Sequence, residues 1–132
     1  MLKLYFARPS GYARPVWLAL LEKELPFELI SVDLRGGQFE PEFLAISPFG
    51  HVPVLVDGNV SLFEMTAILD YLEARYPEPT LQAQTPLGKG QVRLVQSVTF
   101  SELLPALFGL LKHEPETEAW IDARSRRRCC RF

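Results

Sequence analysis

One stretch constrains this chain more than any other: Ser47-Pro-Phe-Gly-His-Val-Pro-Val-Leu55, followed nine residues later by Glu64-Met-Thr-Ala-Ile68. The first run is a turn punctuated by proline and glycine that enters a short apolar strand through Pro53. Proline is a poor residue to open a strand with unless its fixed φ, or a cis bond, is wanted there. The second run sets an acidic and a hydroxyl side chain at a helix start, ahead of the apolar positions Ala67, Ile68, Tyr71 and Leu72. Together they describe a backbone edge for an extended peptide beside a helix N-terminus that can hold a carboxylate. Such a site suits a small anionic peptide.

The elements around it follow from periodicity. Residues 2–6 alternate as a strand, and residues 12–25 carry Val16, Trp17, Leu20 and Leu21 at helical spacing, with Pro15 tolerable in a first turn. Residues 27–32 read as a second strand, so a helical crossover makes the two strands parallel. After the break at Gly36-Gly37, residues 41–46 form a helical turn at most. Residues 54–56 and 60–62 flank Asp57-Gly-Asn59, a tight hairpin signal, and residues 64–76 form an amphipathic helix stopped by Pro77 and Pro79. Residues 79–90 read as a linker, and the apolar pattern beyond it predicts one long helix or two, bent near Pro105.

Charge separates the two ends. Up to Asp122 the chain has nine Lys/Arg against sixteen acids, a net of −7, whereas the last ten residues hold five Arg and no acid. The tail Arg124-Ser-Arg-Arg-Arg-Cys-Cys-Arg-Phe132 is readable as a nucleic-acid arm, but a solvated tail, or an end foreign to the original fold, accounts for it more simply. No apolar run approaches the ~20 residues that span a bilayer. Cys129 and Cys130 are adjacent and offer neither a CxxC nor a zinc spacing. A cytoplasmic protein without membrane, metal or nucleic-acid partner is the expectation.

The Ser47–Leu55 and Glu64–Ile68 runs, with Leu2-Lys-Leu-Tyr-Phe6, Ser10, Arg14 and Pro26-Phe-Glu28, resemble the glutathione transferase family. The resemblance covers residues 1–78 well and residues 86–112 more loosely. It implies an α/β thioredoxin-like domain over 1–78, ordered βαβ-αββα around a four-stranded mixed sheet. A linker over 79–90 and a partial all-α domain over 91–132 complete the expected organisation. Family members continue into a helical domain of five or more helices, and this chain has room for two.

The resemblance also assigns roles. Val52 corresponds to the residue whose main-chain N–H and C=O pair with the cysteinyl part of glutathione, with Pro53 as the cis-proline that exposes them. Glu64 corresponds to the acid that contacts the γ-glutamyl end. Met65 stands where the family commonly has serine; its N–H remains, but the hydroxyl is lost unless Thr66 replaces it. Gln38 and His51 correspond to polar positions that reach the glycyl carboxylate, although His51 is equally readable as a bystander in a turn.

Conjugation by glutathione needs its thiolate, and the free thiol pKa lies near ~8.5. Lowering it by about two units takes roughly 2.7 kcal/mol of preferential stabilisation of the anion. A hydroxyl donor at a helix N-terminus is suited to this. Ser10, ahead of a helix carrying Arg14, matches the serine-type relatives, and is also readable as a plain helix N-cap. Tyr5, at the end of the first strand, is the tyrosine-type candidate and otherwise a strand aromatic; Tyr12 is a third. Ser10-Gly-Tyr-Ala13 has no sulfur where thioredoxins carry CxxC, which speaks against dithiol exchange. The expected activity is transfer of glutathione to a small electrophile, or peroxide reduction by the same thiolate, in a homodimer. The alternative is a non-catalytic glutathione-binding or protein-interaction module of the same fold.

Overall fold

Strand β1 (Leu2–Phe6) alternates as the pleat requires, with Leu2, Leu4 and Phe6 buried on one face and Lys3 and Tyr5 half-buried on the other. The computed structural model, which describes residues 1–111, pairs it parallel to β2 (Phe27–Ser31), from Leu2↔Phe27 to Phe6↔Ser31. On its other side β1 runs antiparallel to β3 (Val54–Asp57), which forms a hairpin with β4 (Val60–Phe63). Gly58, at φ 59°, supplies the left-handed turn residue. The sheet is therefore mixed, in the order β2-β1-β3-β4.

Helix α1 (Ala13–Glu22) makes the crossover between β1 and β2 and packs beside α3 (Met65–Arg75). Leu4, Val16, Leu20, Leu55, Ile68 and Leu72 form the core between these helices and the sheet, each almost wholly buried. The Phe6 and Trp17 rings meet there with centroids 5.4 Å apart. A short helix α2 (Pro41–Leu44) covers the opposite face, where Phe43 meets Tyr5 at 5.9 Å. The expected thioredoxin-like order, with helices on both faces, is the order observed.

A buried cation ties the far ends of α1 and α3. Lys23, its side chain 1% exposed, donates to Tyr76 O (2.7 Å) and Pro79 O (2.8 Å) and pairs with Glu73 Oε2 at 2.8 Å. All three ammonium hydrogens thereby find acceptors. Glu73 also accepts the Thr80 hydroxyl and the Leu81 N–H. Burial alone pushes the Glu73 carboxyl upward, but the bonds from Lys23, Thr80 and Leu81 outweigh it and lower the pKa from 4.5 to about 2. Beside this knot, Asp57 accepts from both Tyr71 (2.8 Å) and Tyr76 (3.1 Å).

Residues Met1–Gln82 form one compact unit, and the described residues from Ala83 to Leu111 belong to a second. In the second unit, helix α4 (Pro86–Val98) begins inside the stretch expected to be a linker. Thr85 makes this start possible: its Oγ1 accepts the Gly88 N–H at 3.0 Å, and Pro86 needs no donor in the first turn. A π-helical turn over Thr99–Leu103 leads into α5 (Leu104–Leu111). It lies just ahead of Pro105, whose missing N–H and ring crowding disturb the regular ladder there. His113, Cys129, Cys130 and the Arg-rich tail lie outside the described residues.

Candidate functional site

Parallel pairing of β1 with β2 and antiparallel pairing of β1 with β3 bring four chain segments to one edge of the sheet. These are the exits of β1, β2 and β4 and the entry of β3. The β1–α1 loop carries Ser10, the segment after β2 carries Gln38, the β3 entry carries His51, Val52 and Pro53, and the β4 exit carries Glu64 and Met65. Seven of the residues singled out from the sequence thus stand at the same edge. Tyr5 lies within β1, one residue short of its end, with its ring against Phe43.

Ser10 is 7% exposed, and its Oγ accepts the Ala13 N–H at 3.1 Å, at the first turn of α1. Its own N–H donates to Ala7 O at 3.0 Å, fixing the loop. The hydroxyl oxygen is therefore held by a helix N-terminal donor, while among the described residues the hydroxyl proton has no acceptor. Arg14 Nη2 donates to Arg8 O at 3.3 Å and braces the same loop.

The Val52–Pro53 peptide is cis. Among the described residues, neither the N–H nor the C=O of Val52 has a hydrogen-bond partner, although Val54, two positions on, is already paired in the sheet. An open N–H and C=O on one residue is the pairing edge that an extended peptide needs. The Val54↔Phe63 pairing then carries β4 directly to Glu64, beside this edge.

Glu64 adopts φ 72° and ψ 118°, a conformation costly for a residue with a Cβ, and its C=O accepts the Ile68 N–H at 3.0 Å to begin α3. Its carboxylate is exposed and stands 4.0 Å from His51 Nδ1. Met65 is 5% exposed, so its side chain belongs to the core. The first N–H groups of α3 have no intrahelical acceptor and attract negative charge. Thr66, half-buried, is the hydroxyl nearest in sequence to that opening.

Gly50 was visible in the sequence only as turn punctuation, yet it assembles this side of the site. It sits at φ +64°, and a Cβ there would come within 2.9 Å of Gln38 O and 3.1 Å of the Phe39 ring. Glycine alone lets the 3-10 turn Gly37–Phe39 rest on the loop that leads to Val52. Gln38 is tied within its own segment: Nε2 donates to Leu34 O at 2.9 Å, and Oε1 accepts the Gly36 N–H at 3.0 Å. One amide hydrogen of Gln38 is left to offer. Among the described residues no cluster of His, Cys, Asp and Glu is arranged to hold a metal ion.

Residues 4–80 match the family model described as glutathione S-transferase, N-terminal domain. The chain is 42% identical over 96 residues to glutathione S-transferase F10 of Arabidopsis thaliana, covering 70% of this chain and 45% of that protein. Over 132 aligned residues it is 33% identical to maleylacetoacetate isomerase of Pseudomonas aeruginosa, covering 91% and 62% of the two chains. A glutathione transferase homologue from Sulfitobacter, solved with bound glutathione, superposes with a TM-score of 0.73 at 34% identity, over 80% of this chain and 51% of that one. The chain thus spans about half the length of the relatives it matches. With the family's N-terminal domain matched across more than half its residues, this chain belongs to the glutathione S-transferase family.

Proposed function

We propose that this protein binds glutathione along Val52 and transfers it, as thiolate, to small electrophilic molecules. The observation that carries the reading is the unpaired N–H and C=O of Val52, set between the buried Ser10 hydroxyl loop and the start of α3. In this reading the cysteinyl residue of glutathione adds to the Val52 edge, and the γ-glutamyl carboxylate lies at the N–H groups of Met65 and Thr66. Glu64 meets the γ-glutamyl ammonium, and Gln38 and His51 serve the glycyl carboxylate. Reduction of an organic peroxide by the same thiolate is the alternative reaction. Glutathione is a substrate here, and no metal takes part.

Ser10 is the activating group. Its oxygen already accepts a helix N–H, which polarises the hydroxyl toward donation, and a hydrogen bond to a thiolate is charge-assisted. Tyr5 is the less suited candidate, because its ring packs on Phe43 within the sheet. The working protein is a homodimer in the cytoplasm; Leu87, Leu94, Val95 and Val98, exposed on α4, support the association.

Turnover of an aryl halide and the thiolate absorbance of bound glutathione, both followed against pH, test this reading. Ser10→Ala should lower turnover at neutral pH by about ten- to a hundredfold, the loss expected for one hydrogen bond to an anion. Raising the pH should restore part of it, while glutathione affinity changes little and Tyr5→Phe is nearly silent. A bound thiol that titrates at its free value in the wild type would overturn the activation. Tight binding without turnover in any variant would instead favour a binding module.

A further inference from the structure

Ser47 is wholly buried, at 0% exposure, and every polar atom it owns is committed. Its N–H donates to Phe43 O at 2.9 Å, and its C=O accepts the Gly50 N–H at 2.9 Å. Its Oγ donates to His51 O at 2.9 Å and also accepts the His51 N–H at 3.0 Å. One hydroxyl therefore holds both peptide planes that flank His51. A hydroxyl is the smallest side-chain group able to donate and accept at once.

The second of those planes matters most. The His51–Val52 peptide is trans, so its C=O and N–H point in opposite directions across one rigid unit. Drawing the His51 carbonyl inward onto a buried Ser47 turns the Val52 N–H outward. We infer that Ser47 is a positioning residue, aiming the Val52 N–H at the cysteinyl carbonyl of glutathione without touching the ligand. This inference rests on the proposed binding of glutathione along Val52. It also accounts for a contrast within the loop: the main chain of His51 is fully used, whereas that of its neighbour Val52 is open.

A cycle of two proteins and two ligands tests it on the full chain. The ligands are glutathione and its alkene isostere, in which the cysteinyl–glycine amide is replaced by a carbon–carbon double bond and the acceptor carbonyl is gone. Calorimetric titration of wild type and Ser47→Ala gives the four affinities. Ser47→Ala should weaken glutathione by about tenfold, the scale of one aimed hydrogen bond, and the isostere by less than about twofold. Equal losses for both ligands would reduce Ser47 to a structural role and overturn the inference, as would no loss for either. Wild type that binds no glutathione would overturn the parent reading, and this one with it. Should Ser47→Ala not fold, Ser47→Cys, which fills the same space with weaker bonds, is held to the same split between the two ligands.

Discussion

The unit Met1–Gln82 and the helices that follow it are both rich in apolar residues, yet they use them differently. In the first unit, a sheet with helices on both faces gives its apolar positions an opposing layer, and Leu4, Leu20, Ile68 and Leu72 are almost wholly buried. In α4 no residue is buried, and Leu87, Leu94, Val95 and Val98 stand exposed. The periodicity that forms a helix is present in both. A core needs a second layer as well, and the described residues supply one only to the first unit.

The sharpest test of that contrast is Lys23. Lys23→Ala leaves the Glu73 carboxylate and two carbonyls without their cation, and should cost about 3–5 kcal/mol, read by denaturant titration. A cost below about 1 kcal/mol would mean that water takes over the site, and that the first unit is less closed than its burial implies.

Acid provides a smaller, graded version. The Glu73 pKa is depressed in the fold, so its contribution is fully present above the unfolded value of 4.5 and is lost as pH falls toward about 2. Stability of wild type minus that of Glu73→Gln, followed from pH 7 downward, should stay level to about 4.5 and then decline. A difference that is flat through this window would separate Glu73 from the Lys23 knot.

Leu94→Ala should have the smallest effect, within about 0.5 kcal/mol, because the side chain is 63% exposed. Ile68→Ala, from the core, should cost about 2–5 kcal/mol by comparison. Should the Leu94 variant approach that range, and its cost grow on dilution, a second copy covers α4 and the contrast between the units dissolves in the dimer.

Much of the first unit was legible because its signals are local. The alternation of Leu2, Leu4 and Phe6, the turn at Asp57-Gly58-Asn59 and the stop at Pro77 each report on a few neighbouring residues, and the strands and helices stand where they point. The candidate site residues come from a resemblance to a family pattern, which says nothing of how each of them is held. Nothing local in the sequence marks Lys23, because its acceptors are fifty or more residues away. Gly50 gives no sign of its approach to Gln38, nor Ser47 of its grip on His51, since both depend on how the loop closes in space. The helix beginning at Pro86 was hidden by the prolines and glycines that also suit a linker, and Thr85 with Gly88 decided it.

The distance in sequence that hides Lys23 also has a kinetic side. Its bonds to Tyr76 and Pro79 close loops spanning 53 and 56 residues, an entropic cost met only after the strands and α3 have been brought together. A buried ammonium is stable only with all its acceptors in place, which argues for a contact formed late in assembly. Lys23→Ala should then leave the rate of folding nearly unchanged and hasten unfolding, as stopped-flow rates would read. On that expectation, Lys23 governs how long a folded molecule lasts more than how quickly one forms.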